Sequence, residues 1–218
     1  MFKLHPAYAL GAAILLVAGP LAAKPIAFQD GRTLMYEYGA GTMQELQAYY
    51  APRYWYSVGA GYLRLDQEDH RFSRDITYTR LNYLVRRWNL SSAQANVFVS
   101  GGVGAARGSD FEGTRFAQNA AVQADYETLT FYSSLKSDWQ RSSEFSHRID
   151  TLQLGVAPYR HRYDGTATWV VAQARYYSGG LYDGVEGALL LRLFRGPVWF
   201  EAGVTTDRKV QTMIMFNF

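Results

Sequence analysis

The chain has 218 residues, with 22 Lys plus Arg against 19 Asp plus Glu, a formal net charge of +3, and no cysteine. So small a charge excess gives no basic field to draw nucleic acid. A chain without thiols has no lipoprotein acyl site, no disulfide framework and no thiolate metal centre. Seventeen Tyr, twelve Phe and five Trp are many for this size, and girdles at a membrane interface are one natural use for them.

Residues 1–23 open with Lys3 as the only formal charge, run apolar from Ala7 to Val17 and break at Gly19-Pro20 before Leu21-Ala22-Ala23. That pattern predicts a secretory signal peptide cut after Ala23 or Ala22. An uncleaved helical anchor is the alternative, but Ala7 to Ala23 is short for a span of about 20 residues and holds Gly11, Gly19 and Pro20. Losing Lys3 leaves 21 basic against 19 acidic residues, or +2 for residues 24–218.

From there the chain alternates polar and apolar residues in short segments parted by turns. Twelve strands are predicted, at approximately 32–38, 42–50, 53–65, 75–87, 94–106, 115–126, 128–138, 147–159, 166–177, 185–194, 198–205 and 209–218. Ala51-Pro52, Glu127-Thr128 and Arg195-Gly196-Pro197 read as tight turns on one side. The segments Asp66 to Arg74, Arg107 to Thr114, Gln140 to Ser146 and Ser178 to Gly184 read as loops on the other. The expected fold is all-β: a single antiparallel transmembrane barrel over residues 24–218, with ten strands and an N-terminal plug as the variant. An even count keeps both termini on the periplasmic side. Tyr56, Val58, Ala60 and Tyr62 would face lipid, as would Val185, Leu189, Leu191 and Leu193, and none carries a charge. Lys or Arg at mid-bilayer depth costs about 2–4 kcal/mol, so such clean faces suit a barrel better than a soluble sandwich. The last segment, Val210 to Phe218, is similar to the terminal strand by which the assembly machinery recognises bacterial outer-membrane barrels, with Phe218 as the assembly signal. That resemblance implies a bacterial outer membrane, with its lipid and lipopolysaccharide, as the setting.

The opposite faces carry the functional candidates. Arg80, Arg86, Arg115, Lys136, Arg175 and Arg192 are placed in the lumen with Glu37, Glu45, Asp125, Asp138, Glu186 and Glu201. Six bases matched by six acids predict pairing in a narrow bore rather than a pore biased to one ion sign. Gly59 and Gly61, with Gly102 and Gly104, would flank the fourth strand and leave space for its arginines to lie across the third and fifth; bending of the wall is the other use of such glycines. Closure would bring Met213 and Met215 beside Met35, with Met43 following. These four thioethers could hold Cu(I), or simply fill space. No cofactor motif is read.

In size and strand number the chain resembles the outer-membrane phospholipase A class. Catalysis of that kind needs a serine and histidine facing lipid, and the candidate here is His147 with Ser142, Ser143 or Ser146. His70 and His161 fall in connections. Signal peptide, length, strand count and terminal Phe make the chain similar to the small monomeric acidic-sugar porins, although their clustered lumenal arginines are here dispersed and matched by acids. Glu37-Tyr-Gly-Ala-Gly-Thr-Met43, Ala51-Pro-Arg-Tyr-Trp-Tyr56 and Arg148-Ile-Asp-Thr-Leu-Gln-Leu154 also resemble a group of uncharacterised proteobacterial barrels. The expected role is a narrow pore for a small solute or ion and not an enzyme. The alternative is a closed structural or binding barrel acting through its outer loops.

Overall fold

A computed structural model describes residues 26, 28–68, 71–160 and 165–218. The signal segment, His70 and His161 lie outside the described residues. Twelve strands follow one another: β1 Gly31–Gly39, β2 Met43–Arg53, β3 Tyr56–Asp66, β4 Ser73–Asn89, β5 Ala93–Gly108, β6 Arg115–Thr128, β7 Phe131–Ser142, β8 Ser146–Val156, β9 Ala167–Ser178, β10 Gly184–Arg195, β11 Val198–Thr205 and β12 Val210–Asn217. Each pairs antiparallel with its sequence neighbours, and β12 returns to β1 with Met35 opposite Met215, so the sheet closes into a barrel. β1 also pairs with β2 from Gly31↔Ala51 to Gly39↔Met43, which removes the ten-stranded variant. Closure leaves no edge whose backbone groups need water.

Alternation sorts each strand between wall and bore. In β10 Glu186, Leu190 and Arg192 are buried while Val185, Leu189 and Leu191 stand exposed on the outer wall. Outward aromatics gather in two belts. Tyr50, Tyr83, Trp88, Tyr126 and Phe131 lie toward the end with tight turns, whereas Tyr36, Tyr62, Phe116 and Tyr176 lie toward the end with longer loops. Near the loop end two outward arginines are paired with acids, Arg64 with Asp66 at 3.1 Å and Arg148 with Asp150 at 2.8 Å.

Several turns differ from the sequence expectation. β2 continues through Pro52 to Arg53, and the chain reverses at Tyr54-Trp55. The register between β2 and β3 shifts between Tyr50 and Arg53, and such an irregularity accommodates a proline with no N–H to give the ladder. The expected turn at Glu127-Thr128 falls instead at Leu129-Thr130, where the Thr128 hydroxyl accepts hydrogen bonds from the Thr130 and Phe131 amides.

A bulge in β4 changes the lumen. Leu84 pairs with Phe98 but Arg86 pairs with Val97, so the extra residue inverts the alternation. Arg86 therefore faces outward, 5.3 Å from the centroid of the Trp88 ring, and its assignment to the lumen is corrected. Arg87 takes the inward place and donates from Nε to Asn96 Oδ1 at 2.7 Å. The spacing Leu81, Tyr83, Val85, Trp88 held the signal, since apolar outward positions two apart jump to three.

Apolar packing divides the bore along its length. Toward the turn end Tyr132, Trp169, Trp199, Leu190, Met213 and Met215 form one cluster, and Ile26, Ala51, Leu84 and Phe98 form a smaller one. Toward the loop end Met43, Leu63, Leu65, Ile76 and Tyr78 pack with Phe145 from the β7–β8 loop. Phe111 and Leu181, from two further loops, lean on the same cluster.

Candidate functional site: the charged bore

Between the apolar ends lies a cavity of about 150 Å³. It reaches from Thr33, Phe98 and Tyr132 toward the turn end to Met43, His147 and Ile149 toward the loop end. Seven amide side chains line it, Gln47, Asn82, Gln123, Gln140, Gln153, Gln173 and Gln211, with hydroxyls from Thr33, Ser100, Ser134 and Thr151.

The lining charges are largely consumed by one another. Arg80 reaches from β4 over β5 and β6 to β7, where its two terminal nitrogens contact Asp138 at 2.8 and 3.0 Å and its Nε donates to Asn119 on the way. Lys136 meets the same carboxylate at 3.2 Å and the Gln140 amide donates to it at 3.3 Å. Arg175 on β9 pairs across the bore with Glu37 on β1. Arg192 pairs with Glu201 at 2.8 Å, donates to Gln153 and lies between the rings of Tyr132 and Trp199, 4.6 and 4.5 Å from their centroids. It is 2% exposed. A guanidinium stripped of water at this depth is tolerable because a carboxylate and two aromatic faces replace its hydration shell.

Neutral side chains continue the network. Gln153 donates to Gln173 at 2.8 Å and Gln173 to Gln211 at 3.0 Å, so a run of amides leads from Arg192 along the wall. Asp125 accepts from Asn96 at 2.6 Å and Glu45 from the Tyr78 hydroxyl at 2.5 Å. Glu186 is buried and faces Arg175 in register, while Arg115 sits at the loop end and pairs with Glu144. Of the twelve charged residues assigned to the lumen, Arg86 alone is turned outward.

The glycines make room, but for a different side chain than expected. A Cβ on Gly61 would fall 2.3 Å from the Tyr78 ring, and one on Gly59 would fall 2.3 Å from Tyr49. A tyrosine therefore crosses β3, and Arg80 crosses only the β5 side. On Gly102 and Gly104 an added Cβ would meet the carbonyl oxygens of Thr79 and Thr77, so these two also allow β4 and β5 to curve closely together.

The four methionines line the cavity from the adjacent strands β12, β1 and β2, but they pack in two separate clusters along its length. Met35, Met213 and Met215 pack with Trp169 and Trp199, whereas Met43 belongs to the loop-end cluster with Leu63 and Ile76. Thioethers against tryptophan are pliable apolar filling. The proposed hydrolytic pairing is also absent among the described residues. The Ser142 hydroxyl donates to the Phe116 carbonyl and the Ser143 hydroxyl to Glu144, while His147 faces the bore.

Sequence reasoning missed Arg74, buried at the loop end with Asp110 at 2.6 Å and stacked 4.7 Å over Phe145. It also misses Gln140 as a bore residue, because the sequence predicts a loop from Gln140 whereas β7 continues to Ser142. The continued alternation of Asp138, Gln140 and Ser142 was the available signal.

No family model and no curated protein matches the sequence. Among solved structures, a KdgM porin in complex with disordered oligogalacturonate is similar at a TM-score of 0.51 and 11% identity, over 86% of this chain and 98% of that one. Another structure of the KdgM porin gives 0.49 at the same identity and coverage. CdiB from Acinetobacter baumannii gives 0.30 at 8% identity, over 88% of this chain and 60% of that one. The first likeness establishes a shared twelve-stranded barrel fold.

Proposed function

We propose that the chain is a bacterial outer-membrane barrel serving as a narrow conduit for small solutes or ions. The supporting observation is its inverted polarity: an apolar wall with two aromatic belts encloses a cavity lined by amides, hydroxyls and paired charges. Glu45 on β2 stands five strands from Lys136 on β7, so a carboxylate and an ammonium that shares its partner with Arg80 lie on opposite sides of the bore. On this reading the paired charges at the loop end meet lipopolysaccharide, and the exposed Phe218 is available to the assembly machinery.

Planar-bilayer recording tests the proposal. Discrete, small unitary steps support a conduit. Silence from protein that migrates as a folded barrel before heating ends it. A closed structural or binding barrel is the second reading, favoured by the burial of Arg192 at one end and of Phe145 at the other.

A further inference from the structure

The bore's hydrogen-bonding capacity is not evenly spent. Arg80 with Asp138, Arg175 with Glu37 and Arg192 with Glu201 balance one another's charge. Three uncharged side chains that line the same cavity do not reach this state. Gln140 Oε1, Gln47 Nε2 and both ring nitrogens of His147 are buried and have no hydrogen-bond partner among the described residues. Gln140 and His147 are each 2% exposed and stand opposite one another in the β7–β8 register. The other partnerless atoms on cavity-lining residues, Arg175 Nε and Nη1, belong to a guanidinium whose charge Glu37 already balances.

Leaving a buried polar group unpaired costs about 1–3 kcal/mol, so such atoms mark where a guest is bound. Their chemistry selects the guest. An amide oxygen accepts, an amide nitrogen donates, and a neutral imidazole does one at each nitrogen. A hydroxyl group does both and suits all three. An ion must compete with charges that are already engaged, Asp138 by Arg80 and Lys136, Glu37 by Arg175 and Glu45 by the Tyr78 hydroxyl, and burying it costs far more than burying a hydroxyl. We propose that the bore binds a small neutral polyhydroxylated solute, held by Gln140 and His147 toward the loop end and by Gln47 farther in. The inference rests on the conduit reading and names its solute class.

Arabinose and its carboxylate counterpart arabinonate separate the alternatives when titrated calorimetrically into the intact barrel in detergent, with bilayer recording alongside. Arabinose is expected to bind at least about tenfold more tightly than arabinonate, a gap of about 1.4 kcal/mol. Gln140→Leu and His147→Phe are each expected to weaken arabinose by about five- to tenfold, the worth of one hydrogen bond. His147→Gln, which keeps a donor and an acceptor, retains binding. Arabinonate binding as tightly as arabinose, or both apolar variants binding arabinose like wild type, overturns the inference. A barrel that conducts ions but takes up no arabinose overturns this inference and leaves the conduit standing. One that binds arabinose without conducting keeps the site and overturns the conduit, and one that does neither overturns both.

Discussion

The two ends of the bore are closed by different means. At the turn end the strands themselves do it: Trp169, Trp199, Tyr132, Met213 and Met215 project from regular β-structure, and Arg192 is clamped among them. At the loop end Phe111, Phe145 and Leu181 come from connections that fold inward, tied by Arg74 to Asp110. Side chains on a closed hydrogen-bonded wall move only by changing rotamer, whereas loops swing as units. The comparison assigns rigidity and width to the first region and access to the second, with the polar cavity between them.

If the turn end is a dry, rigid clamp, Glu201→Leu strands the Arg192 charge and leaves the Trp199 indole without its 2.7 Å acceptor. A loss of about 3–5 kcal/mol is expected in denaturant unfolding from vesicles. A loss under about 1 kcal/mol means that water reaches Arg192 and that the clamp is open. In the middle, Arg80→Ala removes three charge-assisted bonds but leaves Asp138 with Lys136 and Gln140. Stability is expected to fall by about 1.5–3 kcal/mol while unitary conductance rises and shifts toward cations; an unchanged current would remove Arg80 from the conduction path. At the loop end, Lys209 holds Glu68 at 2.8 Å on the surface, where the carboxylate pushes the lysine pKa upward. Lys209→Ala is expected to cost only about 0–1 kcal/mol and to be seen instead as more frequent current flicker. A large stability loss would show that this end is as rigid as the other.

What the sequence disclosed follows the same division. Inward Arg80, Asp138, Arg175 and Glu201 were legible because a strand's period is two and a charge at mid-bilayer depth is costly, so parity fixes the face. Parity fails where a residue is inserted, and the β4 bulge exchanged Arg86 for Arg87. The inward fold of Phe111, Phe145 and Leu181 could not be read, since loops carry no period. Which polar atoms lack partners was also hidden, because pairs such as Arg80 with Asp138 join residues 58 positions apart and become visible only when the barrel closes.

The cysteine-free chain provides a direct test of the whole account. Single cysteines at Ser134 and Thr151 in the bore, and at Leu135 and Leu152 on the outer wall, can be challenged with a charged methanethiosulfonate during bilayer recording. The account predicts lasting current block for Ser134→Cys and Thr151→Cys and none for Leu135→Cys and Leu152→Cys. Block at the outer positions, or unaltered current at both inner ones, would contradict it.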